Sequence, residues 1–372
     1  MRKLEVDQDV LVLARERIAH TFDRFDHVAV LFSGGKDSTV CLELALEEAH
    51  RRGRLPLDVV HYDEEALAPE TVDYLTRTRQ RSGISLRWYC IPVKHRNGCS
   101  RQSPYWNPWA VEHADKWCRP LPDGAITELS GFDRRAIPEC NPLVFPAAKY
   151  GQVGAITGIR AGESLRRFRS VTQRVYENYI AGVENAAHVY LVKPIYDWTT
   201  EDVWTAPAKL GWDYNRAYDV MEKAGISRHM QRVCPPYGEE ALQNLWMWGV
   251  CWPSAWEKII RRVPGAATAA RYSRSPVYAF AGKSGKPADM TWQEVIAGVI
   301  KRWPPQVGAD IAYRIKAMID LHNRDTGGAS IPDSDPHPVS GVCWEMLHTV
   351  AVRGDLKNRR NRKLQSLPRD GK

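Results

Sequence analysis

Apolar runs alternate with amphipathic stretches through the first half of the chain. Residues 27–32 are β-branched and apolar enough for a strand buried on both faces. Val40, Cys41, Leu44, Ala45 and Ala49 then recur at helical spacing and predict a helix over 38–52. An earlier helix is predicted over 7–24, with Val10, Leu11, Ala14, Ile18 and Phe22 on one side. A second strand is predicted at Leu57–Tyr62, a helix from Pro69 to about 81, and a third strand at 84–91. Strand–helix repeats of this length imply right-handed crossovers and a parallel sheet. The rhythm breaks over 92–148, which is rich in Pro, Trp and Gly. An irregular segment of that length in a compact domain is usually a lid, a substrate wall or a partner surface. Strands resume at 153–159 and 189–192, and helices are predicted at about 200–210, 214–223 and 238–248. Beyond about 255 the pattern is mostly helical, with a loop at 324–340.

A chain of 372 residues carries two or three domains' worth of core. No apolar stretch approaches a membrane span, and the first residues lack the apolar centre of a signal peptide. A cytoplasmic location without membrane contact is therefore expected. Cysteines 41, 90, 99, 118, 140, 234, 251 and 343 form no Cys-x-x-Cys pair, so reduced thiols are expected. The net charge of +8 favours anionic partners, nucleotide or nucleic acid, without choosing between them. Part of that charge lies in a basic tail over 353–372, with Arg353, Lys357, Arg359, Arg360, Arg362 and Lys363.

The chemistry concentrates at Ser33-Gly34-Gly35-Lys36-Asp37-Ser38, between the first strand and its helix. Two glycines let the backbone turn sharply and approach a ligand closely. Free amides at a helix start attract an anion, and the helix dipole adds to that. Ser33 and Ser38 add hydroxyls and Lys36 adds a point charge. Asp37 beside a phosphate suggests Mg²⁺ between them. The spacing is not that of a Walker loop. A Gly-Gly turn capped by serines is the plain alternative.

A second constellation is Gly158-Ile159-Arg160-Ala161-Gly162-Glu163-Ser164-Leu165-Arg166-Arg167. A strand ends at Gly158 and releases Arg160 where a helix begins. Ligands of open α/β sheets lie beyond the carboxyl ends of the strands, so Arg160 is expected to share the crevice with the loop. Its guanidinium suits phosphate, sulfate or carboxylate. Glu163 would fix that arginine or act on a substrate, and Glu163, Arg166 and Arg167 are candidates for the second substrate; a solvated basic helix start is the plain alternative. In a third segment, Pro194-Ile195-Tyr196-Asp197-Trp198-Thr199-Thr200-Glu201-Asp202-Val203-Trp204, Thr199 or Thr200 is expected to cap a helix with help from Asp202.

These three segments together resemble the phosphoadenosine phosphosulfate (PAPS) reductase-like family of PP-loop ATP pyrophosphatases. The segments Arg87-Trp88-Tyr89-Cys90-Ile91-Pro92, Trp117-Cys118-Arg119-Pro120-Leu121-Pro122 and Arg232-Val233-Cys234-Pro235-Pro236-Tyr237 resemble one branch of it, that of the immunoglobulin-binding regulator A protein of bacteria and prophages. The resemblance implies an α/β fold: a parallel-sheet PP-loop domain (adenine nucleotide alpha hydrolase-like) over 1–235, with 92–148 as an insertion. A mostly helical C-terminal region over 236–352 and the tail follow.

It further implies ATP and Mg²⁺ as cofactors, with Ser33, Gly34, Gly35, Lys36, Asp37, Ser38, Gly158 and Arg160 holding nucleotide. Lys36, Asp37 and Arg160 would be catalytic and Asp37 would place the metal. The implied reaction is adenylation of a second substrate with release of pyrophosphate, in sulfur transfer or nucleic-acid modification. A ParB/sulfiredoxin-like protein and nucleic acid are the macromolecular partners implied. Two alternatives stay open: a sulfonucleotide (PAPS) oxidoreductase, and a nucleotide-sensing regulatory partner. Against the first, the chain lacks the C-terminal Glu-Cys-Gly-x-His motif of assimilatory reductases; Cys343 is its last cysteine and has different neighbours. Some relatives carry an iron–sulfur cluster. Cys90, Cys99, Cys118 and Cys140 lack cluster spacing, so packed thiols and no cluster are expected.

Overall fold

The computed structural model describes residues 7–172, 177–183, 186–228, 230–238, 242–273, 286–287 and 289–354. Two compact units divide it. The first comprises residues up to Cys99 and Tyr105–Arg271, and the second Ser100–Pro104 and the chain from Tyr272 onward. The division falls near 271, whereas the family resemblance implied a boundary at 235. The helices over 246–262 are bound into the first unit: Trp252 Nε1 donates to Glu70 (2.8 Å), and Arg262 pairs with Glu65 (3.0 Å).

The first unit is built on a six-stranded sheet with the spatial order β3-β2-β1-β6-β8-β7. Its strands are β1 (His27–Leu31), β2 (Leu57–Tyr62), β3 (Ile84–Tyr89), β6 (Val153–Thr157), β7 (Ile180–Val183) and β8 (Ala186–Val192). All pairings are parallel except β7 with β8. The parallel strands are buried because helices cover both faces. Val28, Ala29 and Val30 of β1 are at most 4% exposed. β7 was not foreseen, since so short an edge strand carries little apolar signal.

Helices α1 (Val10–Arg24), α2 (Lys36–Arg51) and α3 (Pro69–Arg79) lie where the periodicity put them. Their apolar stripes, among them Ile18, Phe22, Leu42, Leu44 and Leu75, join strand residues in one core. The chain runs β1, β2, β3 outward, then returns to place β6 on the other side of β1. That reversal is a topological switch point, where open α/β sheets form their crevice. Register makes the point local: Leu31 of β1 pairs with Thr157 of β6. The chain segments leaving these two strands therefore emerge side by side.

The 92–148 segment holds two paired two-residue strands, β4 (His95–Arg96) and β5 (Tyr105–Trp106), a 3₁₀ turn at Val111–Lys116, and two short helices, α4 (Ile137–Val144) and α5 (Ala147–Tyr150). Its tryptophans pack inward: Trp106 and Trp109 are at most 5% exposed. Buried charges anchor it. Glu65 accepts from the amides of Trp109 (2.9 Å) and Cys118 (3.0 Å) as well as from Arg262, and Asp63 accepts from Trp88 (2.6 Å) and pairs with Arg119. Every oxygen of Glu65 is thereby satisfied, which a fully buried carboxylate requires.

Further helices follow: α6 (Leu165–Thr172), α7 (Thr200–Leu210), α8 (Ala217–Lys223), α9 (Trp246–Cys251), α10 (Pro253–Arg262) and α11 (Ala266–Tyr272). The helix expected at 214–223 begins only at Ala217, whose amide donates to Asn215 Oδ1 (2.9 Å). The one expected over 238–248 begins at Trp246; residues 239–241 lie outside the described residues.

In the second unit, helices Trp292–Ile300, Pro305–Thr326 and Trp344–Arg353 enclose Ile296, Trp303, Ile311, Ile315, Leu347 and Val350. Arg101 lies 5.1 Å over the Trp303 ring and donates to the Val352 carbonyl (3.2 Å). The helix starting at Pro305 runs to Thr326 and stops at Gly327, whose φ of +68° suits glycine. The predicted loop follows. Of the basic tail, Arg353 closes the last helix, and Lys357, Arg359, Arg360, Arg362 and Lys363 lie outside the described residues. No helix among the described residues is long and apolar enough to cross a membrane.

Candidate functional site

Ser33–Ser38 connects β1 to α2. Gly34 has φ +73°, the left-handed region that a side chain disfavours. The loop is stitched together: Ser38 Oγ donates to the Gly35 carbonyl (2.9 Å), Ser33 Oγ meets Ser38 Oγ (3.0 Å), and the Gly35 amide donates to Ser33 Oγ (3.3 Å). Asn215 Nδ2, fully buried, donates to the Gly34 carbonyl (2.9 Å). The Lys36 amide donates to Tyr218 Oη (3.0 Å). Among the described residues the amides of Asp37 and Ser38 have no acceptor. They are the donors left at the start of α2.

Gly158 ends at this same place. A Cβ on it would lie 2.6 Å from the Asp37 carbonyl carbon and 2.6 Å from the Ser38 nitrogen. Only glycine lets the segment after β6 come so close to the helix start. Two residues on, Arg160 is 4% exposed and its Nε donates to Asp37 Oδ1. The third motif holds the other end of this guanidinium: Arg160 Nη1 reaches the Trp198 carbonyl (3.5 Å) and Thr200 Oγ1 (3.4 Å). That motif is itself fixed by a capping box, with Thr199 Oγ1 accepting from the Asp202 amide (3.2 Å) and Asp202 from the Thr199 amide (2.7 Å). Such a cap contributes about 1 kcal/mol.

Lys36 Nζ lies 3.2 Å from Asp37 Oδ2. Burial pulls the Lys36 ammonium below its usual pKa; Asp37 opposes the shift, and Arg160 and Arg232 add to it. Glu163 pairs with Arg167 and lies 3.9 Å from Arg160 Nη2. Arg167 is also lowered, by partial burial first, with Asp37 opposing and Arg232 and Arg160 contributing. Lys36, Arg160, Arg167 and Arg232 thus share one field, balanced by Asp37 and Glu163. The side chain of Arg166 lies outside the described residues.

Every other candidate residue is therefore gathered at the switch point. Glu163, expected either to fix Arg160 or to act on a substrate, pairs here with Arg167. Asp37 was expected to place Mg²⁺, but its two oxygens face Arg160 and Lys36. Among the described residues no group of three or more His, Cys, Asp or Glu could hold a metal.

Sequence reading missed Asn215, Tyr218, Arg232 and Cys234 as neighbours of the loop. Val233 Cγ2 would lie 3.2 Å from a Cβ on Gly35, so the 232–234 segment passes directly over it. Cys90, Cys99, Cys118 and Cys140 are all buried. Burial pushes Cys99 and Cys140 up to about 12, and raises Cys90 and Cys118 as well. A cavity of about 820 Å³ between α3, the Cys118–Gly124 stretch and α10 includes none of the candidate residues. The site is defined by the loop and its cations instead.

Residues 27–221 match the family described as phosphoadenosine phosphosulfate reductase domain, and residues 225–334 match a domain of unknown function (DUF3440). The chain belongs to the phosphoadenosine phosphosulfate reductase domain family. It is 29% identical to YbdN of Escherichia coli (strain K12), a protein described as uncharacterized, over 95% of this chain and 90% of that one. It is 26% identical over 189 residues to sulfate adenylyltransferase subunit 2 of Vibrio vulnificus, 48% of this chain and 56% of that protein, little more than half its length. Among solved structures, FMN adenylyltransferase of Candida glabrata overlaps 58% of this chain and 62% of its own at 15% identity and TM-score 0.34. PAPS reductase from Candida auris, a phosphate complex, overlaps 59% and 94% at 14% identity and TM-score 0.32.

Proposed function

We propose that this chain transfers the adenylyl group of ATP to an anionic second substrate and releases pyrophosphate. The observation that carries the reading is the cation set at the start of α2. Lys36, Arg160, Arg167 and Arg232 outnumber Asp37 and Glu163 there, beside the uncommitted amides of Asp37 and Ser38. A polyphosphate supplies the missing negative charge.

In this reading the loop grips the β- and γ-phosphates. An oxygen of the second substrate attacks the α-phosphorus. The bond from that phosphorus to the bridging oxygen breaks, and pyrophosphate leaves with the electron pair. Lys36 and Arg160 steady the departing charge, and rigid placement matters more than covalent chemistry. Asp37 orients both cations. Arg167 and Arg232 suit a sulfate, phosphate or carboxylate acceptor. The adenylyl transfer named in the Vibrio relative supports the class of reaction, and family membership supports a nucleotide ligand. Sulfonucleotide reduction by the last cysteine is disfavoured, since Cys343 is 3% exposed at the start of a helix.

The test is incubation of the full chain with α-³²P-labelled ATP and candidate oxyanion acceptors, followed by separation of the products. Labelled AMP or a labelled acceptor, lost in Lys36→Ala, is the expected result. Labelled ADP as sole product, lost in the same variant, overturns the mechanism.

A further inference from the structure

We infer that Tyr218, on α8, is a phosphate-contacting residue whose hydroxyl donates directly to the anion held by the Ser33–Ser38 loop. This rests on the nucleotide reading of the same site and adds a residue that the loop motif does not contain.

Tyr218 is 3% exposed, and its oxygen accepts from the Lys36 amide at 3.0 Å. That bond uses the oxygen and leaves the hydroxyl proton to be placed. Among the described residues it has no acceptor. The other hydroxyls of the loop are committed. Ser38 Oγ and Thr39 Oγ1 both donate to the Gly35 carbonyl (2.9 and 3.0 Å), and Ser33 Oγ is joined to Ser38 Oγ. A buried hydroxyl that donates to nothing is costly, so its position calls for an acceptor that arrives later.

The position is right for a phosphate oxygen. Tyr218 Oη would lie 3.5 Å from a Cβ on Gly35, the residue whose missing side chain opens the loop. The Tyr218 ring lies 5.6 Å from Lys36 Nζ. An amide donating to a hydroxyl oxygen polarises it and makes its proton a better donor. Burial raises the Tyr218 pKa above its ordinary value, so the proton stays in place at physiological pH. Trp204 packs edge-on against the ring at 4.9 Å and fixes its plane. The hydroxyl is therefore a preorganised, uncharged donor set among cations.

Inorganic pyrophosphate, titrated calorimetrically into the full chain, is the probe. Tyr218→Phe should bind it about tenfold more weakly than wild type, the usual effect of losing one hydrogen bond to a charged group. The ³¹P resonances of bound pyrophosphate should also shift, which a merely structural role for the ring would not require. Site-specific 3-fluorotyrosine at 218 covers the case in which the phenylalanine variant folds poorly. It keeps the ring and the bond to Lys36 but makes the proton more acidic, so binding should tighten. Wild type that binds pyrophosphate, with Tyr218→Phe binding equally or more tightly, overturns this inference alone; so does unchanged affinity in the fluorotyrosine protein. Wild type that fails to bind pyrophosphate overturns both this inference and the nucleotide reading.

Discussion

Arg160 and Asp37 are 123 positions apart in sequence, yet the Nε of one donates to the carboxylate of the other. The bond ties the segment after β6 to the first turn of α2, across the switch point of the sheet. It also keeps a 4% exposed guanidinium paired in the absence of an anionic ligand. Asp37→Asn should therefore destabilise the ligand-free chain by about 3 kcal/mol, because it strands a buried charge. Pyrophosphate should recover much of that loss by taking the place of the carboxylate. Thermal melts of both proteins with and without pyrophosphate check this; equal melting temperatures without ligand would refute it.

Gly158→Ala should damage the site more than its size suggests. The new Cβ meets backbone atoms of Asp37 and Ser38 at 2.6 Å, and backbone cannot swing aside. Overpacking of this kind costs about 1–3 kcal/mol and displaces the amides proposed to bind phosphate. Urea denaturation and ATP calorimetry should both register the change. Gly162→Ala, where a Cβ meets nothing within 4 Å, is the control.

Anion binding should weaken with rising pH earlier than a free lysine would dictate. Burial lowers the Lys36 pKa below 10.5, so the folded protein releases that proton at a lower pH than the unfolded chain does. Two consequences have opposite signs. Pyrophosphate affinity falls as pH rises through the lowered pKa, because the ammonium is lost. Between that pKa and 10.5 the unfolded chain holds more protons, so the ligand-free protein gains stability as pH rises. Lys36→Arg should abolish both trends, since arginine keeps its proton. Calorimetry and melts between pH 7 and 10.5 measure them.

Glu65→Gln should destabilise the first unit by about 3–5 kcal/mol, because Arg262 and Glu65 are both buried and pair with each other. The 92–148 segment should loosen first, since the same carboxylate holds the Trp109 and Cys118 amides. Hydrogen exchange is the measurement. Unchanged protection at those two amides would show that the carboxylate is not the anchor.

Much of the frame was legible in the linear sequence. β1, β2 and β3 are short apolar runs, α1 to α3 carry a 3.6-residue stripe, and Gly-Gly followed by Lys-Asp-Ser marks an anion loop at a helix start. These signals are local, so each can be read from neighbouring residues alone. The capping box at Thr199 and Asp202 was legible for the same reason. β7 was not, because an edge strand needs only its partner β8 to exist.

Long-range folding sets which distant groups share the crevice and what each one touches. The loop motif by itself does not show what Asp37 faces; the segment after β6 brings the Arg160 guanidinium against it. Tyr218, Asn215 and Arg232 carry no local mark of a site, and become part of it because α8 and the 232–234 segment fold back over Gly34, Gly35 and Lys36. Asp63 and Glu65 stand in an acidic run after β2 and are buried, with Arg119 and Arg262 reaching them across more than fifty residues of chain. Charge in a sequence reports sign and spacing. Whether that charge faces water, a partner or a ligand is set by long-range packing.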